Sequence, residues 1–149
     1  MIDGVKTKPL KQIVDERGKV GHIMRKDDEI FEKFGEVYLT VGNPGIVKGW
    51  HYHKTQTDNF AVVKGLMKLV LYDSRKNSPT KGELNEFLVG DENHQLVKIP
   101  PGVVHGFTAI GAEPAYAINV CTEVYNPEDE FRIDPYKNDI PYDWKLEEG

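Results

Sequence analysis

Hydrophobic and polar residues alternate with a period of two along much of the chain, which is the pattern of half-buried β-strands. In EVYLTVG, residues 36–42, every second side chain is apolar, and the turn signal NPG follows. Similar segments recur between turns rich in Gly, Pro and Asn: IVKGWHYH, NFAVVKG, LMKLVLYDSR, LNEFLVG, LVKIPPGVVHGFTAIG and AYAINVCTEVY. Many short strands at regular spacing predict an all-β sandwich or barrel rather than an α/β protein.

Three local features add detail to this pattern. KDDEIFEKFG places Ile30, Phe31 and Phe34 ahead of a glycine, which predicts one short helix near residues 27–34. The dipeptide Lys64-Gly65 between two strands predicts a β-hairpin. AYAINVCTEVY, residues 115–125, is the last long strand that the alternation predicts.

The length and the two ends of the chain predict its domain organisation. With 149 residues, the chain is expected to form a single domain. We expect residues 1–25 to form an N-terminal arm. Residues 126–149 are expected to form a C-terminal tail, whose aromatic residues predict that it packs on the barrel or on a dimer partner.

Charge and composition narrow the class of protein. The net charge is -5 and Lys and Arg are spread along the chain, which argues against nucleic acid as a partner. Cys121 is the single cysteine, so an intrachain disulfide is excluded and a reducing compartment fits. The sequence has no apolar run of about 18 residues and no signal-peptide pattern at its start. These features predict a cytoplasmic protein that does not bind a membrane.

The histidines carry the candidate chemistry. His51 and His53 lie two residues apart on a predicted strand and therefore face the same side, about 7 Å apart at two strand rises. With Asp58 and His105 they would form a three-His, one-carboxylate metal site suited to Fe, Mn, Ni or Zn. Without a metal, a neutral histidine can remove a proton from a carbon next to a carbonyl. A third interpretation is that buried histidines only satisfy polar backbone groups.

Two spaced motifs resemble those of the cupins. G-x5-H-x-H-x4-D-x6-G spans residues 45–65, with Asp58 where the first cupin motif usually has Glu. P-P-G-x-x-H spans residues 100–105 and resembles the second motif. The resemblance implies a cupin jelly roll, that is a double-stranded β-helix, as one domain over residues 1–149.

Longer segments are similar to a particular family. DERG, VKGWHYH, LYDSRKNSPT, KIPPGVVHGF, VYNPEDEFRI and IPYDW resemble, in order and spacing, the dTDP-4-dehydrorhamnose 3,5-epimerase family. This resemblance implies an isomerase that needs no metal or other cofactor and forms a homodimer. Its implied substrate is a nucleotide-linked, dTDP-type 4-keto-6-deoxy sugar, used in deoxysugar and cell-surface polysaccharide biosynthesis.

The resemblance also implies roles for individual residues. His51 would be the base that takes the proton next to the 4-keto group. Arg17 and Lys48 would bind the nucleotide phosphates. His105 would lie near the sugar, and Glu130 near the sugar or the nucleotide.

The chain differs from the epimerase pattern at three site positions. Asn119 stands where the family has its catalytic Tyr and is expected to contact the substrate, Asp58 replaces a Lys, and His53 replaces a Gln. The dTDP-sugar 3,4-ketoisomerases, a sister group, carry H-x-H here and use a Tyr from the preceding strand. That resemblance implies catalytic roles for His51, His53 and Tyr38.

Lys48 raises a geometric question, because it lies three residues before His51 and would face the other side of an unbroken strand. Gly49 between them predicts a bulge that turns Lys48 toward the site.

Two alternatives to a metal-free epimerase or ketoisomerase stay open at this point. One is a metal-dependent dioxygenase or sugar isomerase, and the other is a non-catalytic sugar-nucleotide-binding protein.

Overall fold

The computed structural model describes residues 1–145. Within them the strands are β1 (Lys6–Pro9), β2 (Gln12–Asp15), β3 (Gly18–Gly21), β4 (Glu36–Gly42), β5 (Val47–Tyr52), β6 (Asp58–Lys64), β7 (Leu66–Asp73), β8 (Leu84–Gly90), β9 (Gln95–Ile99), β10 (Val103–Ala109), β11 (Ala115–Cys121) and β12 (Phe131–Arg132). A 3₁₀ turn at Pro127–Asp129 is the only helical element in this part of the chain. The predicted all-β fold is confirmed.

The strands form two five-stranded antiparallel sheets and one separate hairpin. The first sheet has the order β1-β9-β6-β11-β4, and the second has the order β12-β5-β10-β7-β8. Strands β2 and β3 pair with each other. The two large sheets enclose the main hydrophobic core between them, as expected for the predicted jelly roll.

Strand β7 shows how the core is divided. Met67, Leu69 and Leu71 point inward and are fully buried in the main core. Val70 and Tyr72 point to the outer face of the second sheet and belong to another apolar cluster. Because side chains alternate along a strand, a strand that is buried on both faces has apolar residues at nearly every position. This explains the continuous apolar run that the sequence shows here.

The C-terminal segment covers the outer face of the second sheet. Trp144 is 7% exposed, and its ring centroid lies 4.8 Å from that of Trp50 on β5. Tyr142 makes edge-on contacts with both tryptophans. Strand β12 pairs with β5 and extends the same sheet. The segment thus packs on the barrel of its own chain and supports β5, the strand that carries His51.

The N-terminal residues also join the barrel. Strand β1 pairs with β9 and is one of the two edge strands of the first sheet, while Ile2 and Val5 enter the main core. The β2–β3 hairpin follows, and its strands pair with no other strand in residues 1–145. Among the described residues, no helix has the length and apolar character needed to cross a membrane.

The prediction of a helix near residues 27–34 is wrong. Residues 26–30 form turns, in which Asp28 N–H donates to Arg25 O and Phe31 N–H donates to Asp28 O. The Asp28 carboxylate accepts from the Arg25 backbone and from the Lys8 side chain. Asp stabilises such local turns in competition with a helix. Ile30 is buried but Phe34 is 62% exposed, so the segment lacks the continuous apolar face of a packed helix.

The prediction of a hairpin at Lys64-Gly65 is also wrong. Strand β6 belongs to the first sheet and β7 to the second, so this connection passes from one sheet to the other. Gly65 has φ +79°, and a Cβ there would lie 2.6 Å from Pro114 O. The turn therefore needs glycine, but it connects strands of two different sheets.

The last long strand, β11, ends at Cys121 and not at residue 125 as the alternation predicted.

Candidate active site

A cleft of about 640 Å³ lies alongside strands β4 and β5. Its walls combine polar, charged and aromatic side chains from four parts of the fold. They include Tyr38 and Thr40 of β4, Lys48 and His51 of β5, His53 just after it, and Tyr125, Glu130 and Arg132 of the C-terminal segment.

A bulge in β5 brings two of these residues to the same side. The pairing of β5 with β10 shifts register, so that Gly49 and Trp50 stand opposite Gly106 alone. The extra residue changes the alternation of the strand, and both Lys48 and His51 line the cleft. A Cβ on Gly49 would lie 2.7 Å from the Gly106 Cα, so a close approach of the two backbones requires glycine here. The bulge predicted at Gly49 is confirmed.

Three histidine rings meet at the floor of the cleft. The ring centroids of His51 and His105 lie 4.3 Å apart. The ring of His53 lies 6.3 Å from His51 and 6.2 Å from His105. His105 is paired with His51 across β10 and β5, which is why residues so distant in sequence come together.

Asp58 is the buried carboxylate of this cluster, with 1% exposure. Its Oδ1 accepts hydrogen bonds from Gln56 Nε2 at 2.7 Å and Asn119 Nδ2 at 3.0 Å. Its Oδ2 lies 3.2 Å from His105 Nε2 and 3.4 Å from His53 Nε2. Burial opposes ionisation, but the contacts with His105 and His53 outweigh it and hold the pKa of Asp58 well below its ordinary value. The carboxylate is therefore ionised.

The other ring nitrogens of two histidines face backbone carbonyls. His53 Nδ1 lies 2.6 Å from Asp129 O, and His105 Nδ1 lies 3.0 Å from Val103 O. Burial disfavours the charged form of His53, but its contacts with Asp58 outweigh this effect and raise its pKa. Both rings are thus held in fixed orientations.

His51 has a different environment. Its ring makes no hydrogen bond within residues 1–145. Burial and the neighbouring His105 hold the pKa of His51 well below its ordinary value. At neutral pH its imidazole is uncharged and carries a lone pair that is available to accept a proton.

Tyr38 is connected to the cluster through Asn119. The Asn119 Oδ1 accepts from the Asn59 backbone N–H at 2.9 Å, which fixes the orientation of the amide. Its Nδ2 then donates to the Tyr38 hydroxyl at 2.8 Å. The phenol oxygen is the acceptor in this bond, so its own proton stays available to the cleft. Burial and the charge of Asp58 raise the pKa of Tyr38, which keeps the hydroxyl protonated.

Positive charge lies along the walls of the cleft. The Lys48 ammonium donates to Thr40 Oγ1 at 2.9 Å. The Arg132 guanidinium donates to Glu130 Oε1 at 3.0 Å, and Arg132 pairs with His51 across β12 and β5. Sequence reasoning missed Arg132, although it lies in the segment VYNPEDEFRI that carries part of the family resemblance.

The structure brings together most of the residues that the sequence singled out. Five of them line the cleft, and three lie buried beside it. The residues that line the cleft are Tyr38, Lys48, His51, His53 and Glu130. The buried residues beside it are Asp58, His105 and Asn119.

Arg17 is the exception. It lies in the turn of the β2–β3 hairpin, its side chain is 86% exposed, and it pairs with Asp15 at 2.6 Å. It does not line the cleft of its own chain.

Three of the four predicted metal ligands also form a compact group. Among the described residues, His53, Asp58 and His105 each offer one ligand atom, and these atoms lie within 4.8 Å of one another. His51 is not part of this group.

Sequence comparison identifies the family. A sequence model of dTDP-4-dehydrorhamnose 3,5-epimerase matches residues 1–148. The chain belongs to the dTDP-4-dehydrorhamnose 3,5-epimerase family. The resemblance and the isomerase class expected from the sequence motifs are confirmed.

Relatives in this family cover nearly the whole chain. It is 39% identical over 149 residues to the spore coat polysaccharide biosynthesis protein SpsL of Bacillus subtilis, with 99% of each chain covered. It is 42% identical over 144 residues to the probable low-salt glycan biosynthesis epimerase Agl13 of Haloferax volcanii, covering 95% of this chain and 89% of that one.

Solved structures of the family share the fold. The structure of a dTDP sugar isomerase from Desulfovibrio desulfuricans has a TM-score of 0.92 at 37% identity, covering 96% of this chain and 92% of that one. An epimerase from Legionella pneumophila, solved with dTDP-4-keto-L-rhamnose, has a TM-score of 0.82 at 28% identity, covering 98% and 83%. The predicted cupin jelly roll is confirmed.

Proposed function

We propose that this protein epimerises a nucleotide-linked 4-keto-6-deoxy sugar by removing and returning a proton next to the keto group. The single observation that carries this proposal is His51, a half-buried, uncharged imidazole in the cleft whose ring nitrogens make no hydrogen bond within residues 1–145. Family membership supports the reaction class. The two relatives above act in polysaccharide or glycan biosynthesis by their names, which supports a role in supplying deoxysugars for such polymers.

The proton transfer follows from the chemistry of the site. His51 takes the proton from the carbon next to the ketone, and the electrons of the broken C–H bond move onto the carbonyl oxygen. The enolate that forms is stabilised by positive charge, which Lys48 provides in the same cleft. The Tyr38 hydroxyl then gives a proton back to the carbon. If that proton arrives on the opposite face, the configuration at the carbon is inverted.

Charged groups in the cleft support a nucleotide-linked substrate. Lys48 and Arg132 both line it and can bind a diphosphate. The Legionella relative with dTDP-4-keto-L-rhamnose bound supports thymidine as the nucleoside. Tyr125 also lines the cleft and offers an aromatic face for a base.

Proton exchange in D2O tests this proposal. The protein is incubated with dTDP-4-keto-6-deoxyglucose and the sugar is followed by proton NMR. We expect deuterium to enter at C3, at C5 or at both, together with a new epimer. Tight binding of the nucleotide sugar without any exchange would support the non-catalytic alternative and would contradict the proposed reaction.

A 3,4-keto isomerisation would begin with the same proton transfer. His53 beside His51, with Tyr38 in the same cleft, is the observation that favours it. The NMR experiment separates the two reactions, because isomerisation moves the keto group to C3 whereas epimerisation keeps it at C4.

We further propose that the protein works as a homodimer. Val37 and Leu39 of β4, the other edge strand of the first sheet, are 53% and 56% exposed. Val14 on the β2–β3 hairpin is 70% exposed. Apolar side chains on an edge strand and a projecting hairpin suit burial against a second copy. The predicted phosphate role of Arg17 then requires that the hairpin reach the cleft of that second copy.

Two expectations from the sequence accompany this proposal. A single cupin domain remains our interpretation of the domain organisation, and a cytoplasmic location remains a prediction. The free, buried Cys121 is compatible with a reducing compartment.

A further inference from the structure

We propose that Gln56 determines the sugar specificity of the cleft by accepting, through its side-chain carbonyl oxygen, a hydrogen bond from a hydroxyl group of the sugar ring. This inference rests on the proposed function, since it assigns a substrate contact in the same cleft. A 4-keto-6-deoxyhexose that is linked through C1 keeps free hydroxyl groups only at C2 and C3. The donor is therefore one of these two hydroxyls.

Gln56 is buried, yet its side chain borders the cleft. Its exposure is 7%, and it forms part of the cleft wall beside His53. The side-chain oxygen Oε1 accepts no hydrogen bond within residues 1–145. Asn59 Oδ1 also lacks a partner but is closed off from solvent, whereas Gln56 Oε1 is not. Since the cleft is the space that Gln56 borders, this free acceptor faces the cleft.

Asp58 decides which end of the Gln56 amide faces the cleft. The amide nitrogen Nε2 donates to Asp58 Oδ1 at 2.7 Å. An ionised carboxylate only accepts hydrogen bonds, so a rotated amide would place two buried acceptors against each other. The nitrogen is therefore held at Asp58 and the oxygen at the cleft. Gln56 thus selects a ligand group that can donate, such as a hydroxyl, and disfavours a carbonyl.

The main chain around Gln56 is fixed by contacts with distant parts of the chain. The Asp129 carboxylate accepts from the three consecutive backbone N–H groups of residues 54–56, at 2.8–3.2 Å. The next N–H, that of Thr57, donates to Thr122 Oγ1 at 2.9 Å. Gln56 is therefore in position before a substrate arrives, and little conformational entropy is lost when the hydrogen bond forms.

Gln56 lies near the reacting part of the substrate. Its amide nitrogen is 3.5 Å from His53 Nε2, and the His53 ring centroid is 6.3 Å from that of His51. The proton that His51 removes belongs to the sugar, so the sugar and not the nucleotide occupies this part of the cleft. A hydroxyl of the sugar ring is therefore the donor that meets Gln56.

The contact discriminates between sugars through the cost of leaving the Gln56 oxygen unpaired. In the free protein, solvent satisfies this oxygen. A sugar hydroxyl replaces that hydrogen bond, whereas a deoxy sugar excludes the solvent and offers no donor. We expect loss of the matching hydroxyl to lower kcat/KM by about 10- to 100-fold.

Three nucleotide sugars test the contact. They are dTDP-4-keto-6-deoxyglucose and its 2-deoxy and 3-deoxy analogues. The full-length protein receives each sugar in D2O, and kcat/KM for deuterium exchange next to the keto group is measured by NMR. The Kd of each sugar is measured in parallel by calorimetry. We expect the parent protein to disfavour at least one deoxy analogue by about 10- to 100-fold.

Gln56→Met removes the acceptor and keeps nearly the same side-chain length. Asp58 retains its contacts with Asn119 and two histidines, so the variant should fold, and its Tm checks this. We expect it to use the disfavoured analogue within about threefold of the hydroxylated sugar. An indirect effect through Asp58 would lower the values for all three sugars alike and leave the preference unchanged.

Two further variants complete the comparison. Gln56→Asn is one methylene shorter and cannot reach both Asp58 and the sugar, so it should also lose the preference. Gln95→Met makes the matched change at a half-buried glutamine outside the cleft and should keep the preference of the parent.

Equal use of the three sugars by the parent, or the same preference in the parent and in Gln56→Met, would overturn the role of Gln56. Exchange without a hydroxyl preference would leave the proposed function intact. If no sugar undergoes exchange, the Kd values decide. A hydroxyl preference in binding that Gln56→Met abolishes would support the contact and overturn the proposed reaction, and binding of none of the three sugars would contradict both.

Discussion

The three clustered histidines differ in which ring nitrogens are already engaged. His53 and His105 each place one nitrogen toward a backbone carbonyl and the other toward Asp58. His51 makes no hydrogen bond within the part of the chain that the structure describes. A general base needs a free lone pair within reach of the substrate proton, and His51 is the histidine that has one.

His51→Asn should therefore abolish proton exchange while keeping nucleotide binding. Loss of a general base costs about 10²–10⁴-fold in rate, whereas Asn keeps much of the polarity and size of the ring. The measurements are NMR exchange in D2O and the Kd for dTDP, with exposed His22→Asn as the control. Exchange within about tenfold of the parent rate would show that another group is the base.

Tyr38→Phe should separate proton removal from proton return. The variant keeps His51, so deuterium should still wash into the substrate. Formation of epimer should fall by about 10²–10⁴-fold, because the hydroxyl that Asn119 holds in place is gone. Tyr136→Phe, which changes a Tyr that is 72% exposed, is the matched control. Equal losses of exchange and of epimer in Tyr38→Phe would contradict a role as proton donor.

For single residues, the sequence predicted which side chains belong to the site where a strand pattern or motif covers them. It did not predict site residues whose position depends on how distant strands pair. The spacing of His51, His53 and Asp58 was sufficient to predict a cluster, because strand alternation and the cupin-like motif both apply there. Arg132 was missed because β12 has only two residues and thus no pattern of its own. Its place in the cleft depends on the pairing of β12 with β5, which is a tertiary contact.

The strands were predicted better than their connections. EVYLTVG is β4 and LNEFLVG is β8, each with the boundaries that the alternation predicts. Alternation within a strand does not show which sheet the strand joins. The connection at Gly65 was therefore predicted as a hairpin, although β6 and β7 belong to different sheets. The expected helix failed because Asp28 binds the backbone of its own turn.

The β5 bulge is the element that assembles the cleft, and Gly49→Ala tests it. An added Cβ would lie 2.7 Å from the Gly106 Cα, so β5 and β10 must separate or the bulge must shift. We expect a loss of about 1–3 kcal/mol in stability and a larger fractional loss of activity, since Lys48 and His51 both move.

Gly42→Ala is the control for this prediction. A Cβ at Gly42 meets the Phe107 ring at 3.4 Å, an ordinary contact, so the variant should stay close to the parent in stability and activity. Thermal unfolding and the NMR exchange rate are measured together. A Gly49→Ala protein with unchanged Tm and rate would mean that the close approach of the two strands is not needed.

On the scale of the whole molecule, the β2–β3 hairpin is separate from the cleft of its own chain. Its strands pair only with each other among residues 1–145, and Arg17 at its tip contacts Asp15. The exposed Val14 on the hairpin and Val37 and Leu39 on β4 supply the apolar surface that a second copy would cover. In such a dimer each hairpin can serve the other cleft.

Mixed dimers test this arrangement directly. Arg17→Ala and His51→Asn homodimers should each be nearly inactive, since each lacks one residue at both clefts. In a mixed dimer one cleft receives Arg17 from the His51→Asn chain and His51 from the Arg17→Ala chain, and is complete. Random reassociation of equal amounts makes half of the dimers mixed, so activity should return to about one quarter of the parent value. If Arg17 served its own cleft, or if the protein were a monomer, mixing would restore nothing.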